Sequence, residues 1–307
     1  MEGLAVRENR FKKILVYVLA AVVGLGLAVV LGISLKVGWS LTHPQREHVV
    51  LPTGAGKLNP KQVSFPSRQG GVTLQGSFLS AGNSNRTIIF AHGYGKNRLQ
   101  DDVPALDIAQ VLRSNGYNVL LFDFRGSGES GGDMSTVGQN EKDDLIGAVD
   151  FMKKMGRQGE HIGVIGFSMG AVAGILAAAE DTRIEALAAD APFADLVKYL
   201  RVNLPVWSDL PSFPFTPLIL TIMPPVLDLD PHKVSPVSVV RKIRAPVLFI
   251  HGGSDTAVPV SNSEELYRTA LGGKKLWVVP GAEHVGSYKK RPQEYISRIL
   301  ELFKQVK

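Results

Sequence analysis

The stretch that decides the fold is Ile162-Gly163-Val164-Ile165-Gly166-Phe167-Ser168-Met169-Gly170-Ala171-Val172-Ala173-Gly174-Ile175-Leu176-Ala177. A short apolar run of buried-strand type, Ile162–Phe167, breaks at a serine between two glycines and continues as an all-apolar helical run. Strand, sharp turn and helix around Gly-x-Ser-x-Gly form the setting in which a serine is held exposed as a nucleophile. The glycines answer crowding, because side chains there would strike the neighbouring strand or helix. The helix that begins at the serine also aims its N-terminal N–H groups at the site. The pattern alone is weak, since Gly128-Glu129-Ser130-Gly131-Gly132 matches it too. A polar, turn-like stretch follows that second match, so it reads as a glycine-rich loop.

Outward from this segment, short apolar runs alternate with amphipathic ones. Thr87–Ala91, Tyr117–Phe124, Ala186–Ala189, Val247–Ile250 and Leu276–Val279 read as buried strands. Ala105, Ile108, Ala109 and Leu112 follow helical spacing, as do Leu145, Ala148, Val149 and Met152, and Ile296, Ile299, Leu300 and Phe303. This alternation predicts an α/β fold, a mostly parallel sheet with helices on both faces, with Val72–Leu79 as an antiparallel edge.

A serine hydroxyl needs a base, and the base needs an orienting acid. In the layout to which this turn belongs, acid and then base follow the serine in the chain. Asp255 follows the strand Val247–Ile250, and His284 follows the strand Leu276–Val279, so both fall at carboxyl ends of strands, where open parallel sheets gather their sites. Asp190, after Ala186–Ala189, is an alternative acid, and Asp123 a weaker one. Among the seven histidines, His92 and His251 each precede a glycine in a strand-end turn and read as loop holders; His284 is the choice for base. Met169 N–H is one expected oxyanion donor. The loop His92-Gly93-Tyr94-Gly95, after the strand Thr87–Ala91, supplies the second at Tyr94 N–H.

Taken together, His92-Gly93-Tyr94-Gly95, Asp123-Phe124-Arg125-Gly126-Ser127-Gly128, Gly166-Phe167-Ser168-Met169-Gly170, His251-Gly252-Gly253-Ser254-Asp255 and Gly281-Ala282-Glu283-His284 resemble the α/β-hydrolase superfamily. The nearest likeness is to bacterial membrane-anchored hydrolases of serine aminopeptidase-like and dienelactone hydrolase-like type. The resemblance covers residues 62–307. It implies Ser168 as nucleophile, His284 as base, Asp255 as its partner, and the insertion 195–240 as a cap over the pocket. Eight prolines between Pro205 and Pro236, interleaved with Trp207, Phe213, Phe215 and a run of aliphatics, set that insertion apart. So many prolines do not suit a sheet core, and so much apolar surface does not suit a solvent loop.

The N-terminus is a separate problem. Ile14–Leu35 is 22 residues without a charge, about 33 Å as a helix at ~1.5 Å per residue, enough for a hydrocarbon core of ~30 Å. Arg7, Arg10, Lys12 and Lys13 precede it. Residues 1–13 are therefore expected in the cytoplasm, 14–35 as an uncleaved signal anchor, 36–61 as a linker, and the rest as an extracytoplasmic catalytic domain. The five basic and two acidic residues up to Lys36 take half of the chain's net +6, leaving 29 basic against 26 acidic over the remainder. No basic run interleaved with aromatics is present, so nucleic acid is not an expected partner.

The 307 residues contain no cysteine, which excludes disulfides, a thiol nucleophile, an iron–sulfur cluster and a cysteine zinc site. A large outward-facing domain without cysteine suits a bacterial surface. Neither His-Glu-x-x-His nor Gly-x-x-x-x-Gly-Lys-Ser/Thr occurs, and no metal or cofactor is expected. The leading reading is a serine hydrolase of carboxylic esters or thioesters with apolar groups, working through an acyl-enzyme. A serine peptidase, with Asp209, Asp228 and Asp230 available for a substrate amine, an acyltransferase, and an inactive surface binding protein are the alternatives.

Overall fold

The computed structural model of the chain describes residues 2–50, 60–155 and 159–307. Residues 51–59 of the expected linker lie outside the described residues. The chain divides into two compact units, one comprising residues up to Leu41 with Leu200–Asp228, the other Thr42–Tyr199 with Leu229–Lys307.

The larger unit is built on an eight-stranded sheet among the described residues. Its strands are β1 (Lys61–Pro66), β2 (Thr73–Leu79), β3 (Arg86–Ala91), β4 (Asn118–Phe122), β5 (His161–Phe167), β6 (Ile184–Asp190), β7 (Val247–Gly252) and β8 (Lys274–Val279), in spatial order β1-β2-β4-β3-β5-β6-β7-β8. From β4 to β8 every pairing is parallel, while β1 and β2 join antiparallel. The expected antiparallel strand over Val72–Leu79 is present as β2, but the edge of the sheet is β1. Only Val63 and Phe65 of β1 are buried, so its alternation is two apolar residues long and ends at a proline.

Burial alternates along the central strands. Ile89 and Ala91 of β3 join one core with Ile162 and Val164 of β5, and Ile88 and Phe90 join the other with Ile165 and Phe167. This period of two follows from side chains pointing to opposite faces of a pleated strand. Both faces are covered, which is why these strands read as continuous apolar runs. Helices α3 (Glu141–Met155), α4 (Met169–Glu180) and α8 (Ser261–Thr269) contribute to the first core; α2 (Ala105–Ser114) and α10 (Pro292–Phe303) contribute to the second. Two single-turn helices, α7 (Pro236–Val239) and α9 (Ser287–Lys290), sit in connections. The stretch after Thr42 is tied to this unit: Lys96 pairs with Glu47 at 3.1 Å, and Asn97 Nδ2 donates to the His48 carbonyl at 3.1 Å.

The smaller unit contains most of α1 (Glu2–Thr42), the later part of α5 (Leu196–Ser208) and α6 (Ser212–Val226). The apolar run Ile14–Leu35 is thus the middle of a longer helix. The proline-rich insertion is also helical, with Pro205 inside α5 and Pro217, Pro224 and Pro225 inside α6.

Candidate active site

The turn between β5 and α4 carries Ser168 at φ 52° and ψ −116°, a left-handed region that costs a non-glycine residue of order 1–3 kcal/mol. The surroundings impose it. A Cβ on Gly166 would collide with the Gly170 carbonyl, and one on Gly170 with the Ala91 carbonyl of β3. Ser168 N–H donates to the Asp190 carbonyl of β6 at 2.8 Å, while its own carbonyl accepts from Ala171 and Val172 as the first turn of α4 begins. The serine is half-buried between two buried neighbours.

His284, in the loop after β8, meets the serine. Its Nε2 is 2.9 Å from Ser168 Oγ, and its Nδ1 is 2.7 Å from Asp255 Oδ2. Asp255, in the loop after β7, spends its other oxygen on the backbone: Ala257 and Val258 N–H donate to Oδ1 at 2.9 and 2.8 Å. Burial alone would raise this carboxyl, but hydrogen bonds from His251 and His284, the proximity of His284 and the Val258 N–H outweigh it. Asp255 is held well below the usual carboxylate range. The proton on His284 Nδ1 is assigned from this pairing, because an ionised carboxylate can only accept. Nε2 is then left as an acceptor facing the serine hydroxyl.

The two alternative acids are engaged elsewhere. Asp123 accepts from Arg98 N–H at 2.6 Å and Glu129 N–H at 2.9 Å, which makes it the tie of its own glycine-rich loop. Asp190 accepts from the Tyr295 hydroxyl at 3.2 Å through Oδ2, and its Oδ1 has no hydrogen-bond partner among the described residues. Burial pushes Asp190 up to about 7, with only partial relief from His251, Tyr295 and His284. Ser130, the other Gly-x-Ser-x-Gly serine, is buried and donates to the Asp123 carbonyl at 2.6 Å.

The loop after β3 lies against Ser168, since a Cβ on Gly93 would stand 3.7 Å from Ser168 Cβ. Gly93 N–H is occupied by Gln100 Oε1 at 2.8 Å, and Tyr94 follows it in the loop. Met169 opens α4, so its N–H belongs to the first turn, where a helix has no internal partner. His92 donates from Nδ1 to the Gly93 carbonyl and accepts Phe124 N–H on Nε2. Gln100, seven residues after Gly93, and His251, four residues before Asp255, make their contacts because each loop folds back on itself, a conformation that the residue types alone do not specify. Of the acidic residues considered for a substrate amine, Asp230 accepts from His232 N–H at 3.1 Å through Oδ1.

Sheet order, strand-end loops and the serine turn define an α/β-hydrolase-fold serine hydrolase, and similar proteins of known structure have the same architecture. An esterase of Pyrococcus furiosus, Pf2001, is 30% identical with a TM-score of 0.71, the match covering 86% of this chain and 99% of the esterase. An acylaminoacyl peptidase of Pyrococcus horikoshii, 19% identical, shares the fold at a TM-score of 0.61, over 80% of this chain and 41% of the peptidase. Among curated proteins, the uncharacterized protein YqkD of Bacillus subtilis is 34% identical over 75% of each chain. The model of the prolyl oligopeptidase family matches residues 106–307, and the chain belongs to that family.

Proposed function

We propose that the protein hydrolyses carboxylic esters or thioesters through an acyl-enzyme on Ser168. The observation that carries this reading is the continuous hydrogen-bonded chain from Ser168 Oγ through His284 to Asp255. His284 Nε2 takes the hydroxyl proton as Ser168 Oγ attacks the carbonyl carbon, and Asp255 steadies the imidazolium that forms. Met169 and Tyr94 N–H groups stabilise the oxyanion. Loss of one such donor costs on the order of a hundredfold or more in rate. The tetrahedral intermediate expels the alcohol or thiol, which receives its proton from His284. Water, deprotonated by the same nitrogen, then attacks the acyl carbonyl and restores the serine.

The extent of the matches supports an ester rather than a peptide as substrate. The esterase of Pyrococcus furiosus is matched over 99% of its length, whereas the acylaminoacyl peptidase of Pyrococcus horikoshii has more than half of its chain outside the match. Peptide hydrolysis on the same triad is the second reading, favoured by the family to which residues 106–307 belong. The apolar insertion 195–240, as a cap, favours substrates with apolar acyl or alcohol parts. The 34-residue apolar helix Asn9–Thr42 serves in this reading as a single-pass anchor, with the basic N-terminus in the cytoplasm.

A fluorophosphonate probe compared between wild type and Ser168→Ala tests the site. Labelling of the wild type alone supports it; an unlabelled wild type, or labelling that survives the substitution, overturns it. Parallel rates on p-nitrophenyl esters and aminoacyl p-nitroanilides then decide ester against peptide. Protease added to intact cells should remove the catalytic domain, and full protection would reverse the orientation.

A further inference from the structure

The smaller unit has an apolar face that its own packing leaves uncovered. Helix α6 is 15 residues without a charge, yet only Thr216, Ile219 and Met223 are buried. These lie three and four residues apart, a single helical stripe. Ile219 and Met223 form a cluster with Leu204 of α5, and Val37 and Leu41 of α1 pack against it. Gly38 lets α1 and α6 approach closely, because a Cβ there would strike Met223. The outward faces carry large exposed apolar side chains beside the exposed Lys198 and Arg201 of α5: Val202 is 66% exposed, Val206 69%, Phe213 81% and Val226 59%, with Trp207 at 43%. A core helix would have buried these residues. At about 23 Å, α6 is also too short to cross a hydrocarbon core of ~30 Å.

Position along α1 identifies what covers this face. The uncharged run ends at Leu35, and the contacts to α5 and α6 are made just beyond it, at Val37, Gly38 and Leu41. Trp39, 53% exposed on the same turn, is the residue type that settles where a helix leaves a bilayer. With α1 taken to cross a bilayer along its uncharged run, the exposed face of α5 and α6 falls at the depth of the lipid headgroups and first acyl carbons. We propose, on the reading of α1 as a membrane anchor, that α5 and α6 are a membrane-seated element. Their apolar face lies in the headgroup–acyl boundary of the leaflet from which α1 emerges, as an in-plane amphipathic helix does. The anchor then does more than tether: it fixes the depth of the insertion, and the ligand of this surface is a lipid bilayer.

Because the chain lacks cysteine, one introduced cysteine gives one nitroxide label. The full chain is reconstituted into phosphatidylcholine–phosphatidylglycerol vesicles with the label at Leu25→Cys in the anchor, Val206→Cys, Phe213→Cys, or Leu271→Cys on the larger unit. All four residues are exposed, and an unchanged unfolding midpoint certifies each variant. The measurement is the ratio of collision with oxygen to collision with a water-soluble nickel chelate. Ratios at 206 and 213 several-fold above that at 271, yet below that at 25 in the middle of the anchor, support the proposal. A high ratio at 25 with low ratios at 206 and 213 overturns it while leaving the anchor intact. Low ratios at all positions overturn both. Dipolar broadening between labels at 206 or 213, with neither reagent reaching them, would show a second copy of the chain on this face and also overturn the proposal.

Discussion

His251 Nε2 lies 3.4 Å from Asp255 Oδ2 while also lying 2.8 Å from the Val258 carbonyl. A carbonyl only accepts, so Nε2 carries the proton and Nδ1 accepts from the Ser263 hydroxyl at 2.6 Å. His251 thereby ties Asp255 and its loop to α8, and under the proposed triad it positions the acid. Replacing it with Asn shortens the side chain out of reach. The expected result is a fall in kcat between about tenfold and a hundredfold, from misplacement of the acid, with KM little changed. A kcat equal to wild type on a short p-nitrophenyl ester would remove His251 from this role.

Asp255 and Asp190 make opposite predictions. Asp255→Asn keeps the shape but removes the acceptor that holds His284 in its tautomer, so kcat should drop by about ten-thousand-fold. Asp190 touches Tyr295 rather than His284, so Asp190→Asn should retain activity within about tenfold, since Asn can still accept from the Tyr295 hydroxyl. Steady-state kinetics on one short ester decides between them. The reverse pattern would move the acid to β6.

How much of this was legible in the sequence differs by element, for physical reasons. The central strands were plain because burial on both faces makes them apolar throughout. The serine turn was plain because strand, crowding glycines and apolar helix coincide within 16 residues. The edge strand β1 was not, because an edge with two buried residues carries too short a period to register. The helices of the insertion were hidden by Pro205, Pro217, Pro224 and Pro225, which argue against a helix interior on propensity. Ser168, Asp255 and His284 were found through their strand-end positions, and the geometry brings them together. His251 reads in the sequence only as a loop holder; its link to Asp255, four residues on, depends on how the single loop between β7 and α8 bends back.

Gly170 should be the least tolerant position of the serine turn. Its missing Cβ makes room for the Ala91 carbonyl of β3, a backbone atom that cannot move without shifting the strand. Gly170→Ala is expected to destabilise by about 1–3 kcal/mol or more and to lose fluorophosphonate labelling. Gly273→Ala, whose Cβ would stand 3.6 Å from Pro246 Cβ, is the control and should behave as wild type. Urea unfolding midpoints with labelling on the same samples check both. A wild-type midpoint for Gly170→Ala would show that α4 can slide away from β3.

Asp190 gives the stability a pH dependence whose sign can be worked out. Its carboxyl is raised from an ordinary value near 3.8 to about 7 in the fold. Between those values the folded chain holds a proton that the unfolded chain has released, so the unfolded state binds fewer protons. Stability must then fall as pH rises through this window and level off above about 7. The wild-type penalty reaches the order of a few kcal/mol. Asp255, depressed in the fold, contributes stability that is lost only as pH falls below the ordinary carboxylate range, so it does not act in this window. Asp190→Asn has no proton to exchange. The difference in unfolding free energy between this variant and wild type should therefore grow in the variant's favour from pH 4 to pH 7 and stay constant above. Urea titrations at pH 4, 5, 6, 7 and 8 measure it directly. A difference that does not change with pH would mean that Asp190 is ionised in the folded protein throughout.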